Sequence, residues 1–124
     1  MPKIVSNYVK EGDSLRKLEK YEEAIECYDK ALKMNPQDAS AWFSKGFSLE
    51  KLGKHEEAIE CYDKVLQIDS KNAPAWQNKG VSLEKLGKHE EAIKCYDKAL
   101  EIDPQYASAW FNKGFSLGEL EKYE

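Results

Sequence analysis

The side chains in this sequence that could do chemistry recur at a fixed interval. Cys27, Cys61 and Cys95 are spaced by 34 residues, and so are His55 and His89. Thiols one repeat apart on stacked helices would sit roughly 10 Å from one another. A disulfide needs its Cα atoms about 4.4–6.8 Å apart, so these cysteines are expected to be small buried filler. His55-Glu56-Glu57-Ala58-Ile59 begins as a zinc-binding helix begins, but Ile59 stands where a second histidine must be. Acidic pairs such as Glu90-Glu91 suit the first turn of a helix, where the dipole favours negative charge. The sequence offers no glycine-rich phosphate loop and no Ser/His/Asp grouping. No catalytic residue, metal or cofactor is expected, and the chain reads as a binding or assembly module rather than an enzyme.

Composition narrows the partners. At 124 residues the chain suits one compact unit, 1–124. Charged residues make up 34% and the net charge is −4, a balance with no basic footprint for nucleic acid or an anionic membrane. It mildly favours neutral or basic partners. Apolar runs are only a few residues long, too short to span a bilayer. Met1-Pro2-Lys3-Ile4-Val5-Ser6-Asn7 lacks the apolar core of a secretory leader. An odd cysteine number, three, argues against a disulfide framework and for a reducing cytoplasm.

The interval of 34 also fixes the elements that hold these residues. Trp42, Trp76 and Trp110 keep it, and so do Gly12, Gly46, Gly80 and Gly114. Laid over one another, residues 39–72 and 73–106 agree at 24 of 34 positions, which coincidence does not produce. The units are therefore 5–38, 39–72, 73–106 and a partial 107–124. Each reads as two helices. In the second unit helix A is expected over 39–52, with Ala41, Trp42, Leu49 and Leu52 on one face. Helix B follows over 55–68, with Ala58, Ile59, Tyr62, Val65 and Leu66 inward. Asp38 and Asn72 are the expected N-caps. Asn35-Pro36 and Asp103-Pro104 close helix B in two units; Asp69-Ser70 lacks the proline, and a softer junction is expected there. Glycine within a helix costs roughly 0.5–1 kcal/mol against alanine. Its recurrence implies a close approach of helix B, with Ala24, Ala58 and Ala92 as the expected partners.

The run Trp42-x-x-Lys45-Gly46-x-x-Leu49 followed by Ala58, Tyr62 and Val65 resembles the tetratricopeptide repeat (TPR). So do Trp76, Gly80, Leu83, Ala92, Tyr96, Ala99 and Pro104, and in the first unit Tyr8, Gly12, Leu15, Ala24, Tyr28, Ala31 and Pro36. Lys45, Lys79 and Lys113 stand where the family often has leucine. The resemblance implies an all-α, right-handed superhelix (an α-solenoid) of about seven helices in antiparallel pairs. Its A helices would line a concave groove that binds an extended peptide, as in a protein–protein interaction scaffold.

On that reading Phe43, Phe47, Phe111 and Phe115 fall on the groove flank of helix A, with Gln77 and Val81 at the same positions of the third unit. The alternative is that these rings only pack against the next A helix. Asn78 and Asn112 resemble the start of the asparagine ladder in the TPR superhelix of O-linked N-acetylglucosamine transferases, which holds peptide backbone; a solvated polar position is the alternative. The clamp that chaperone-binding TPRs use for a C-terminal carboxylate would need Lys, Asn and Arg where Val9, Asp13, Ser44, Pro74 and Asn78 stand, and its cations are missing. The sequence stops within the fourth unit, at Glu121-Lys122-Tyr123-Glu124. Trp110, Leu117 and Leu120 are expected to face a surface left uncovered, as in a fragment of a longer repeat protein or a module that self-associates through that patch.

Overall fold

The computed structural model describes residues 2–122. Seven helices follow one another: α1 (Pro2–Lys17), α2 (Tyr21–Met34), α3 (Ala39–Lys51), α4 (His55–Ile68), α5 (Ala73–Lys85), α6 (His89–Ile102) and α7 (Ala107–Lys122). No strand occurs among the described residues. Successive helices pack as antiparallel neighbours, and α1, α3, α5 and α7 also touch in series, whereas α2, α4 and α6 do not touch one another. The stack is therefore tighter on the α1/α3/α5/α7 side, and that side is the inner, concave one.

Helix ends follow local chemistry. Asp38 Oδ1 accepts from the Ala41 N–H (3.1 Å) and Asn72 Oδ1 from the Ala75 N–H (3.0 Å), as expected for N-caps. Between the helices of a pair, Gly53 and Gly87 turn the chain at φ +77°. The first pair makes the same turn at Glu19, φ +62°, where a side chain is strained. Between pairs, each indole closes the turn before its own helix. Trp42 Nε1 donates to the Pro36 carbonyl (2.8 Å), Trp76 to Ser70 (3.0 Å) and Trp110 to Pro104 (2.8 Å). The junction at Asp69-Ser70 has the same backbone geometry as the one closed by Asp103-Pro104. Its cap residue has φ −140° and ψ 95°, against φ −133° and ψ 92° at Asp103. A carbonyl receives the indole at every junction, whether proline or serine carries it.

The core is a column of tyrosines against glycines. Tyr28, Tyr62 and Tyr96 are buried. A Cβ added at Gly12, Gly46 or Gly80 would lie 2.7, 2.9 or 2.5 Å from the facing Cε1 atom. The expected alanine partners are corrected here: Ala24, Ala58 and Ala92 are buried, but the tyrosine ring is what each glycine admits. Gly114 has nothing within 4 Å. Ala58, Tyr62 and Val65 are buried as their spacing predicts, while Ile59 and Leu66 are half-buried.

Candidate functional site: the concave groove

Two adjacent cavities open on the inner face. The first, ≈ 410 Å³, is lined by Phe47, Glu50, Lys51, Tyr62, Asn78, Val81 and Lys85. The second, ≈ 290 Å³, is lined by Val81, Glu84, Lys85, Tyr96, Phe111, Asn112 and Phe115. Moving the first set on by 34 residues gives Val81, Glu84, Lys85, Tyr96, Asn112 and Phe115, all in the second, while the counterpart of Lys85 is Glu119, which does not line it. One site is thus built twice, and Val81 and Lys85 are shared.

The helices place these side chains by register. Phe47 and Val81 follow the glycine of their helix, so each flanks the tyrosine that the glycine admits. Tyr62 and Asn78 both line the first cavity, the phenol from α4 and the amide from α5. Burial first, then the Glu50 charge, pushes the Tyr62 phenol far above its ordinary range, so it remains a neutral donor. Tyr96 is raised in the same way, by burial and then Glu84. The Tyr28 phenol is pushed up to about 12, by burial first and then by its hydrogen bond to Asp13 (2.6 Å), while Arg16 at 3.3 Å opposes the shift.

Of the expected groove residues, Phe47, Asn78 and Val81 line the first cavity, and Val81, Phe111, Asn112 and Phe115 the second. Phe111 and Phe115 are 76% and 51% exposed, large apolar surfaces left in water. Two of the expected residues line neither of these cavities. Phe43 is half-buried: it meets Tyr62 edge-on, ring centroids 5.7 Å apart, packs against the core of the second pair, and lines a separate cavity with Ser44 and Pro74. Gln77 is only 6% exposed and lines neither cavity; its Oε1 is buried without a hydrogen-bond partner. The more distant patch is open: Trp110 and Leu117 are exposed and Leu120 is half-buried.

Periodicity alone missed a second set of contacts. Glu50 of α3 receives the Ser82 hydroxyl of α5 (2.6 Å) and lies 2.9 Å from His55 Nδ1. One unit on, Glu84 receives the Ser116 hydroxyl and lies 2.7 Å from His89 Nδ1. These carboxylates turn into the stack and are only 18% and 14% exposed. In the first unit Arg16 replaces the glutamate, and Ser48 donates instead to the Ser44 carbonyl of its own helix (3.0 Å). Lys45, Lys79 and Lys113 each reach an aspartate of the preceding helix, Asp29, Asp63 and Asp97, at 2.7 Å. Each also lies over the tryptophan of its own helix, 5.4–5.7 Å from a ring centroid. Spacing of like residues reveals columns, whereas these bonds join unlike residues on different helices.

Sequence profiles described as "Tetratricopeptide repeat" match residues 9–73, 73–106 and 95–124. The chain belongs to the tetratricopeptide repeat family. No curated protein matches it significantly in sequence. Among solved structures, the first TPR of Spaghetti (RPAP3), bound to the HSP90 peptide SRMEEVD, is 24% identical. That alignment covers 96% of this chain and 94% of the other, with a TM-score of 0.93. The second TPR domain of human RPAP3, in complex with the HSP70 peptide SGPTIEEVD, is 25% identical over 94% and 98% of the two chains, TM-score 0.88. YrrB, a TPR protein with an unusual peptide-binding site, is 29% identical, TM-score 0.85. There the match covers 89% of this chain and 57% of YrrB. The fold is thus the TPR right-handed superhelix of antiparallel helix pairs.

Proposed function

We propose that this TPR domain is a protein–protein interaction scaffold that holds an extended peptide along its concave face. The observation that carries this reading is the doubled cavity, with Phe47 and Val81 in one and Val81, Phe111 and Phe115 in the next. Pockets with apolar walls and polar edges suit a peptide: its side chains enter the pockets while Asn78 and Asn112 meet its backbone. The TPR domains of RPAP3 named above are bound to peptides, which supports the class of ligand. Their chaperone tails do not carry over, because Val9, Asp13, Ser44 and Pro74 supply no cation for a C-terminal carboxylate. Buried free thiols suit a reducing cytoplasm.

The test is the double substitution Phe47→Ala with Phe115→Ala. It removes one wall of each cavity and leaves Phe43 and the tyrosine column in place. Binding partners captured by the wild-type chain should be lost while helicity is kept. Undiminished capture with unchanged helicity contradicts the assignment.

A second reading rests on the exposed face of α7. Trp110 is 53% exposed, Leu117 is exposed, and nothing approaches Gly114 or Gly118. A second copy laid on this face would give a self-associating scaffold. Light scattering across a concentration series tests it, with growth in mass expected; a monomer at millimolar concentration rejects it.

A further inference from the structure

Charge at the groove contradicts the charge of the whole chain. The net charge is −4, yet both cavities are rimmed by ammonium groups. Lys51 and Lys85 occupy the same register in α3 and α5 and both side chains are exposed. Lys85 lines both cavities and Lys51 the first. The Phe47 ring has Lys51 Nζ 5.3 Å and the Arg16 guanidinium 5.8 Å from its centroid. The carboxylates at the same sites, Glu50 and Glu84, are turned inward and engaged by Ser82, His55, Ser116 and His89. What a ligand meets is therefore an aromatic floor with cations along one edge. The surplus acid lies on the other side of the stack: α2, α4 and α6 carry net formal charges of −2, −3 and −2, against +1 for α3 and for α5.

Resting on the peptide-scaffold reading, we infer that the groove selects an acidic segment, one in which a side-chain carboxylate lies between two large apolar residues. The apolar residues occupy the two cavities and the carboxylate meets Lys85, the cation common to both. Adjacent inner helices are about 10 Å apart by helix-packing distances. An extended chain advances about 3.3 Å per residue. The two anchors are therefore about three to four residues apart, with the acidic residue between them. Exposed lysine and engaged glutamate make the recognition one of sign, and an acidic protein thereby binds an acidic partner.

The experiment uses the intact chain against a positional-scanning library of C-terminally amidated peptides, and a second library with free C termini. The inference expects enrichment of an aspartate or glutamate between two apolar residues in the amidated library. Replacing that acid by its amide should weaken binding about tenfold, as for loss of a charge-assisted hydrogen bond. Lys85→Glu, a change at an exposed position, should remove the preference, with circular dichroism confirming that the helices persist. Enrichment that depends on Phe47 and Phe115 but shows no acidic preference overturns the inference and leaves the scaffold reading standing. So does a preference confined to free C termini. Enrichment indifferent to those phenylalanines, or none at all, overturns both.

Discussion

At the residue scale, the glycine column gives the sharpest contrast. Gly80 and Gly114 hold the same register, yet a Cβ at Gly80 would lie 2.5 Å from Tyr96 and one at Gly114 would meet nothing within 4 Å. Gly80→Ala is expected to destabilise by about 1–3 kcal/mol through overpacking. Gly114→Ala should stabilise by about 0.5–1 kcal/mol, the ordinary gain of alanine in a helix. Urea unfolding of the two variants checks both signs. The thiols make a second prediction. Burial is the first cause that raises all three; Cys61 is pushed up to about 12 and Cys95 to about 11, from an ordinary 9.0. The folded chain keeps protons that the unfolded chain releases, so the thiols contribute stability that is full below pH 9 and is lost as pH rises through 11 to 12. Unfolding measured across that window should show the loss, and Cys61→Ala with Cys95→Ala should make it smaller, the remainder belonging to the buried tyrosines, whose phenols are raised in the same direction. The glycine register was legible in the sequence, but its partner was not. Spacing suggested alanine because small faces small; the side chain that fills the gap is a tyrosine reaching across from helix B.

At the element scale, the pairs are joined by side chains as well as by the chain itself. The Ser82–Glu50 bond ties α5 to α3, whereas Ser48, equally buried, bonds only within its own helix. Ser82→Ala is expected to cost about 1–2 kcal/mol, since a carboxylate loses a buried donor. Ser48→Ala should cost distinctly less, and chemical denaturation of the two side by side measures the difference. The helices themselves were readable: the 34-residue interval and the cap Asp38 place α3 and α4 to within a residue of their observed ends, and Asn72 marks the start of α5. Lys45, Lys79 and Lys113 looked like departures from the family pattern. Their ion pairs to Asp29, Asp63 and Asp97 became visible only once the pairs were stacked: the separation is the same each time, but a repeat of each residue by itself does not say that helix A leans on the preceding helix B at that point.

At the scale of the whole molecule, curvature creates the groove. The A helices touch in series and the B helices do not, so the inner face concentrates Phe47, Val81, Phe111 and Phe115 along one track. The periodicity of helix A pointed to these four; it also pointed to Gln77, which packing takes inside, and to Phe43, which is half-buried and lines a different cavity. The groove edge's positive character was hidden by a composition that is acidic on average. The most direct test of the scaffold is an NMR titration of the isotope-labelled chain with a peptide selected from the amidated library. Shifts are expected at Phe47, Lys51, Asn78, Val81, Lys85, Asn112 and Phe115, with the outer faces of α2, α4 and α6 unmoved. Shifts centred on those outer faces, or on Trp110 and Leu117 alone, would contradict the account.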